Sequence, residues 1–171
     1  EQGDTLWSKT YHSPNQNGTV NRFPVSADIA QDGGLFILTA TMIPEIQYNT
    51  VFRLNASGDS LWHTTVSEVV QWAGALYSVI RSTPDGGCMI AGRSQGFPSA
   101  AKVMKLSTDG QILWSSTDFI SDYGYNKFIA LAVNQQGEAF LAGMTHNNVN
   151  GDERLLVSKV NSSGEKQWEH V

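Results

Sequence analysis

The feature that most constrains this chain is a tryptophan that returns at near-equal intervals. Trp7, Trp62, Trp114 and Trp168 stand 55, 52 and 54 residues apart. Each closes one short pattern: Gly3-Asp4-Thr5-Leu6-Trp7, Gly58-Asp59-Ser60-Leu61-Trp62, Gly110-Gln111-Ile112-Leu113-Trp114 and Gly164-Glu165-Lys166-Gln167-Trp168. Before the last three, a basic–apolar pair (Arg53-Leu54, Lys105-Leu106, Lys159-Val160) begins five residues ahead of the glycine. A second glycine turn recurs as Asp32-Gly33-Gly34, Asp85-Gly86-Gly87 and Gln136-Gly137-Glu138. Agreement at so many positions marks an internal repeat, which dictates the architecture. The 171 residues read as a single segment of repeats at approximately 4–58, 59–110 and 111–164, with a terminal strand at 165–171.

Each repeat predicts four strands. The first covers 23–30, 76–83 or 128–134. An Asp-Gly type turn then leads to the second at 35–41, 88–93 or 139–144. Such turns flanked by apolar runs are the strongest short-range hairpin signal. The third strand is expected at 50–54, 102–106 or 155–160, and the fourth at 60–65, 112–117 or from 166 to the end. The second strands are nearly uncharged, as strands covered on both faces are. Two of them carry Ala91-Gly92 and Ala142-Gly143, small residues expected to let sheets approach closely. No long run keeps a helical period, so the class is all-β.

Four-stranded units at this period are the signature of β-propeller blades. The expected fold is three four-stranded blades plus an extra leading strand at 5–10, as part of a larger propeller. A blade cannot bury its apolar faces alone. The recurrent tryptophans Trp7, Trp62, Trp114 and Trp168 are therefore expected as docking anchors. Each ring would fill the gap between sheets, and each indole N–H would reach a carbonyl of the next blade. The glycine four residues earlier supplies the turn between third and fourth strands.

The stretch Lys105-Leu106-Ser107-Thr108-Asp109-Gly110-Gln111-Ile112-Leu113-Trp114 resembles the tryptophan-docking signature of quinoprotein-like propellers. With Thr83-Pro84-Asp85-Gly86-Gly87-Cys88-Met89-Ile90-Ala91-Gly92 before it, it is more similar to the blade repeats of secreted Bacteroidota proteins, many of them type IX secretion substrates. The resemblance implies a secreted or cell-surface, outer membrane-associated setting. Asp4-Thr5-Leu6 and Asp59-Ser60-Leu61 also resemble the O-glycosylation motif of that phylum, but such short matches read first as turn starts. The first repeat departs from the pattern with Leu38-Thr39 in place of Ala-Gly, and the third with Gln136-Gly137-Glu138.

A ring needs about four to eight blades, and three leave two apolar faces open. The chain is thus expected to be an excerpt of a longer propeller; a half ring closed by a second copy is the alternative. Its start at Glu1, without Met or an apolar leader, fits a processed form or an excerpt.

Composition narrows the function. Lys and Arg number 11 against 16 Asp and Glu, an acidic balance that argues against a nucleic-acid partner. No apolar run reaches the length of a membrane-spanning helix, so no membrane insertion is expected. Cys88 is the single cysteine and lies in an apolar run, as a small buried hydrophobe does. His12, His63, His146 and His170 have no metal-ligand spacing. No nucleophile elbow, P-loop or dinucleotide fingerprint occurs. Asn148-Val149-Asn150-Gly151-Asp152-Glu153 is rich in oxygen ligands but lacks calcium-loop spacing and reads as a solvated turn. No catalytic residue, metal or cofactor is therefore expected.

Binding residues are expected on the longer loops of one rim, at 11–21, 42–49, 66–74, 94–99, 118–126 and 145–153. The candidates are the aromatics Trp72, Tyr123, Tyr125, Tyr48 and Tyr11, with Trp72 foremost because it falls outside the repeat. Phe119 and His146 sit on the same loops. The resulting expectation is a non-catalytic propeller module whose partner is another protein or the remaining blades of the same propeller. A carbohydrate-binding propeller, with a glycan as ligand, is one alternative; a fragment of a propeller hydrolase, lyase or quinoprotein is another.

Overall fold

The computed structural model describes residues 5, 7–11, 21–43, 46–66, 78–94, 99–119, 124–147 and 150–171. Among these there is no helix. Twelve strands form three separate four-stranded antiparallel sheets, each a simple meander. The first sheet holds β1 (Asn21–Ile29), β2 (Leu35–Ile43), β3 (Ile46–Leu54) and β4 (Ser60–Val66). The second holds β5 (Val79–Ser82), β6 (Cys88–Arg93), β7 (Ala101–Leu106) and β8 (Ile112–Ser116). The third holds β9 (Tyr125–Val133), β10 (Ala139–His146), β11 (Glu153–Val160) and β12 (Lys166–His170). None of the three sheets closes on itself. The fourth strand of each opens the next sequence repeat, so the sheets are offset from the repeat frame by one strand.

The turns follow their glycines. Gly33, Gly86 and Gly137 take φ of 81°, 85° and 75° between first and second strands, and Gly58, Gly110 and Gly164 take 77°, 83° and 85° between third and fourth. Only glycine enters this left-handed region without a steric cost.

The sheets stack in chain order, first on second and second on third. One core joins Phe36, Leu38 and Val51 of the first sheet to Ile80, Cys88, Ile90, Met104 and Leu106 of the second. Another joins Met89, Ala91 and Val103, from the opposite face of the second sheet, to Phe128, Leu131, Leu141 and Leu156 of the third. Residues 88–92 of β6 are consequently buried on both faces. The flanking second strand β10 instead alternates between a covered and a more open face, while β2 alternates only over 35–38 and is buried at 38–41. Asp28 of β1 ties the edge strands together. It accepts from the Ser82 backbone N–H at 2.7 Å and from the Ser82 hydroxyl at 2.8 Å, occupying an edge donor of β5 that would otherwise invite pairing.

A β-bulge recurs beside each basic residue. Arg53 pairs with Trp62 and Leu54 with Ser60; Lys105 pairs with Trp114 and Leu106 with Ile112; Lys159 pairs with Trp168 and Val160 with Lys166. Leu61, Leu113 and Gln167 are the extra residues and face outward. A bulge resets the facing of the residues beyond it. Here it places tryptophan and basic side chain side by side on the same face.

Several boundaries differ from the sequence reading. The 42–49 loop is mostly strand, with β2 running to Ile43 and β3 starting at Ile46. The first strand of the third unit starts at Tyr125, three residues before the expected Phe128. Residues 7–11 of the leading segment are not in a sheet ladder. Gly143 does not serve close approach between sheets: a Cβ there would lie 1.9 Å from the Lys127 carbonyl oxygen of the neighbouring strand. The register of β9 and β10 shifts at that same point, so the glycine accommodates a bulge within one sheet.

Candidate functional site

The tryptophans build one kind of site. The Trp62 indole N–H donates to the Thr108 carbonyl at 2.8 Å, and that of Trp114 to the Ser162 carbonyl at 3.0 Å. Both acceptors lie in the third–fourth strand turn of the following sheet. The ring sits on that turn's glycine: a Cβ on Gly110 would lie 2.8 Å from Trp62, and one on Gly164 2.6 Å from Trp114. The glycine of the motif therefore receives the tryptophan of the preceding unit, a role beyond its turn. Trp7 repeats the arrangement on the first sheet. Its N–H donates to the Ala56 carbonyl at 3.1 Å, its ring covers Gly58, and the Tyr11 hydroxyl donates to the Gly58 carbonyl.

Trp168 has the same surroundings on its own sheet, but among the described residues it meets no third–fourth strand turn. It lies 6.5 Å from Phe140 at 58°, as Trp62 lies 6.0 Å from Phe36 at 54°. Lys159 sits 5.3 Å over Phe140, as Arg53 sits 4.8 Å over Phe36. Yet Trp168 and Phe140 are 40% and 41% exposed while Phe36 is fully buried. The outer face of the third sheet thus repeats the residues of the first sheet's covered face and is exposed.

The basic residues have acidic partners that sequence reasoning did not supply. Arg53 donates to both Asp32 carboxylate oxygens at 2.6 Å, Lys105 pairs with Asp85, and Lys159 reaches Glu138 at 2.8 Å. The Arg53 hydrogen bond holds the Asp32 carboxyl below its ordinary range. Burial pushes Asp85 up, but the hydrogen bonds from Lys105 and Thr83 outweigh it and the net shift is downward. Lys159 lowers Glu138 in the same manner. The signal was available: the basic residue always stands about 20 residues after an acid beside a glycine turn.

The expected rim aromatics are dispersed. Trp72 and Tyr123 lie outside the described residues. Tyr48 is in β3, half-buried and paired with Thr41, not on a loop. The longer strands absorbed that loop. Tyr11 lies against the outer face of the first sheet and, with Arg22, Ile37 and Phe52, lines an apolar cavity of about 240 Å³. Phe119 is core, packed edge-on against Phe128 at 4.7 Å. His63 stacks on Phe52 at 5.7 Å, and His170 on Trp168 at 5.5 Å.

Tyr125 does reach a rim cavity. A parallel bridge from Ser99 to Tyr125 joins the 94–99 connection of the second sheet to the start of β9. Beside it, at the end of the sheets that carries the β6–β7 and β10–β11 connections, lies a cavity of about 240 Å³. Arg93, Ser99, Tyr125, Lys127, His146 and Glu153 help to line it. His146 Nδ1 is 3.4 Å from a Glu153 carboxylate oxygen, and the Tyr125 and His146 rings lie 6.2 Å apart. Ser99 is 1% exposed, and its hydroxyl has no hydrogen-bond partner.

Other reactive groups are spent on structure. Cys88 is buried, and burial pushes its thiol up to about 12, so it is no nucleophile. In the loop at 148–153, Asn148 and Val149 lie outside the described residues and Asp152 pairs with Arg154 at 3.1 Å. Among the described residues no group of His, Cys, Asp or Glu could hold a metal ion. Nor is any helix among them long and apolar enough to cross a membrane.

No family model matches the chain, and no curated protein matches it. Among solved structures, it is similar to a protein of unknown function from Bacteroides caccae, with a TM-score of 0.45 and 13% identity. The match covers 86% of this chain and 66% of that one.

Proposed function

We propose that the three sheets are blades of a β-propeller and that the chain is a non-catalytic scaffold module of a secreted or cell-surface protein. The observation that carries this reading is the tryptophan–glycine dock, made with one geometry by Trp7, Trp62 and Trp114. Units that stack by one rule, each with a polar tooth and a fitted socket, extend around an axis until a last face meets a first. The secreted, outer membrane-associated setting rests on the resemblance of the repeats to those of secreted Bacteroidota proteins.

The partner is implied by the unfilled tooth. The outer face of the third sheet presents Trp168, Phe140 and Leu155, the last 66% exposed. An apolar face of this make-up marks an interaction surface. It suits a further blade whose third–fourth strand turn carries a glycine, in the same propeller or in a second copy of the chain.

Sedimentation velocity tests this. Wild-type chain should associate as its concentration rises toward about 1 mM, while Trp168→Glu should remain monomeric with an unchanged circular dichroism spectrum. A wild type that stays monomeric over that range would remove the reading of this face as an interface.

A further inference from the structure

The turn at the open end of the first sheet is already filled, by a segment that belongs to no sheet. We propose that residues 7–11 are a displaceable cap, and that their release from the Gly58 turn uncovers a site for Trp168 of a second copy of this chain. This rests on the stacking rule proposed above and adds what competes for its first position.

The Gly58 turn matches the turns that receive Trp62 and Trp114. In all three the carbonyl that accepts from the indole stands two residues before the glycine: Ala56, Thr108 and Ser162. The Gly110 carbonyl takes a second bond, from the Thr64 hydroxyl at 2.8 Å. The Gly58 carbonyl accepts from the Tyr11 hydroxyl instead, while Lys9 pairs with Asp59. Residues 7–11 therefore reach the acceptors that a whole sheet reaches elsewhere. They hold them through side chains, since their backbone is in no ladder. Trp7 is 40% exposed even when docked, whereas Trp62 and Trp114 are half-buried.

The matching donors stand at the other end of the stack. Trp168, Phe140 and Lys159 repeat the arrangement of Trp62, Phe36 and Arg53. His170 follows Trp168 by two residues, as Thr64 follows Trp62, and is exposed. Its ring N–H is a donor suited to the Gly58 carbonyl. The two outer faces thus carry the two halves of a contact that the chain makes between its own sheets. Halves on different faces join head to tail, closing a ring or extending a filament.

Trp7 and Trp168 exclude each other. Both need the Ala56 carbonyl and the space over Gly58, where a Cβ would already lie 2.9 Å from the Trp7 ring. Trp7 has the advantage of its tether. The second copy brings a larger apolar face, with Phe140 41% and Leu155 66% exposed, whose burial only association supplies. The apparent affinity between copies is reduced by the fraction of chains that are capped.

Sedimentation velocity of the full chain tests the cap. Trp7→Ser should tighten self-association about tenfold or more, with a circular dichroism spectrum like that of wild type. Lys9→Ala with Tyr11→Phe, which keeps the indole and only loosens the cap, should tighten it about threefold. Wild-type chain should bind Trp7→Ser/Trp168→Glu about tenfold more tightly than it binds Trp168→Glu alone. Equal association of wild type and both cap variants, abolished throughout by Trp168→Glu, would overturn the cap and leave the Trp168 face as an interface. Self-association of Trp7→Ser/Trp168→Glu as tight as that of Trp7→Ser would overturn the head-to-tail contact. No association of either wild type or Trp7→Ser up to about 1 mM would overturn both the cap and the interface.

Discussion

Arg53 and Lys105 are 6% and 4% exposed, a placement a cation tolerates only with a partner. The partners, Asp32 and Asp85, are more than half exposed, which leaves each pair partly screened by water. That geometry fixes a pH dependence. The carboxyls are held below their ordinary values, so the stability they contribute is present above the unfolded carboxylate range. It is lost as pH falls through the folded values. Asp85→Asn removes one such carboxylate. Urea unfolding should show the variant about 1 kcal/mol less stable at pH 7, with the gap closing below about pH 3. A gap that stays constant with pH would mean that Asp85 acts through its shape and hydrogen bonds, not its charge. These pairs also show where sequence reading stopped. The basic–apolar pairs were visible as a repeat, but in the third unit the acid moves from the first turn position to the third, Glu138. The shift hides the pairing from any position-by-position comparison.

At the scale of the strand, the third–fourth hairpin is where sequence and structure inform each other most. The Gly-x-x-x-Trp spacing was plain, and so was the turn. The bulge was not, because nothing in residues 58–62 says that Leu61 is skipped in the ladder. Only the cross-strand register shows it, with Arg53 opposite Trp62 and Leu54 opposite Ser60. The bulge explains why large apolar residues stand in solvent, Leu61 at 55% and Leu113 at 57% exposure. Gln167 at the third equivalent position says that apolar character is not required there. Leu61→Gln and Leu113→Gln should therefore each change stability by less than about 0.5 kcal/mol in urea unfolding. A loss of about 2 kcal/mol or more, on the order expected of a core truncation, would place these leucines in a contact with a further sheet. Strand ends were the other weak point. Strand takes up most of the loop expected at 42–49 and both ends of the one expected at 145–153. This moved Tyr48 off the rim, while it brought His146 to the cavity beside Tyr125. Those extensions depend on partners across the sheet, such as Tyr48 opposite Thr41 and His146 opposite Glu153, which local sequence does not specify.

For the molecule as a whole, the stack of three makes the sheets unequal although their sequences are alike. The second is covered on both faces; the first and third each have one face that no other sheet covers. In a linear array, stability is the sum of each unit's own and its contacts with neighbours, so the middle unit has the most to lose on opening. Amide hydrogen exchange should consequently be slowest in β6 and β7 and faster in β2, β3, β10 and β11. Cys88 provides a second reading of the same order. It sits in β6 with full burial against the first sheet, and its thiol is pushed up to about 12, so a thiol reagent reaches it only when the middle sheet opens or the first sheet leaves its face. At neutral pH its labelling rate should match the exchange of the slowest amides and rise with urea in step with global unfolding. Labelling that instead tracks the faster exchange of β2 would show the first sheet detaching alone to expose the Cys88 face, and with it an interface weaker than the Trp62 dock implies.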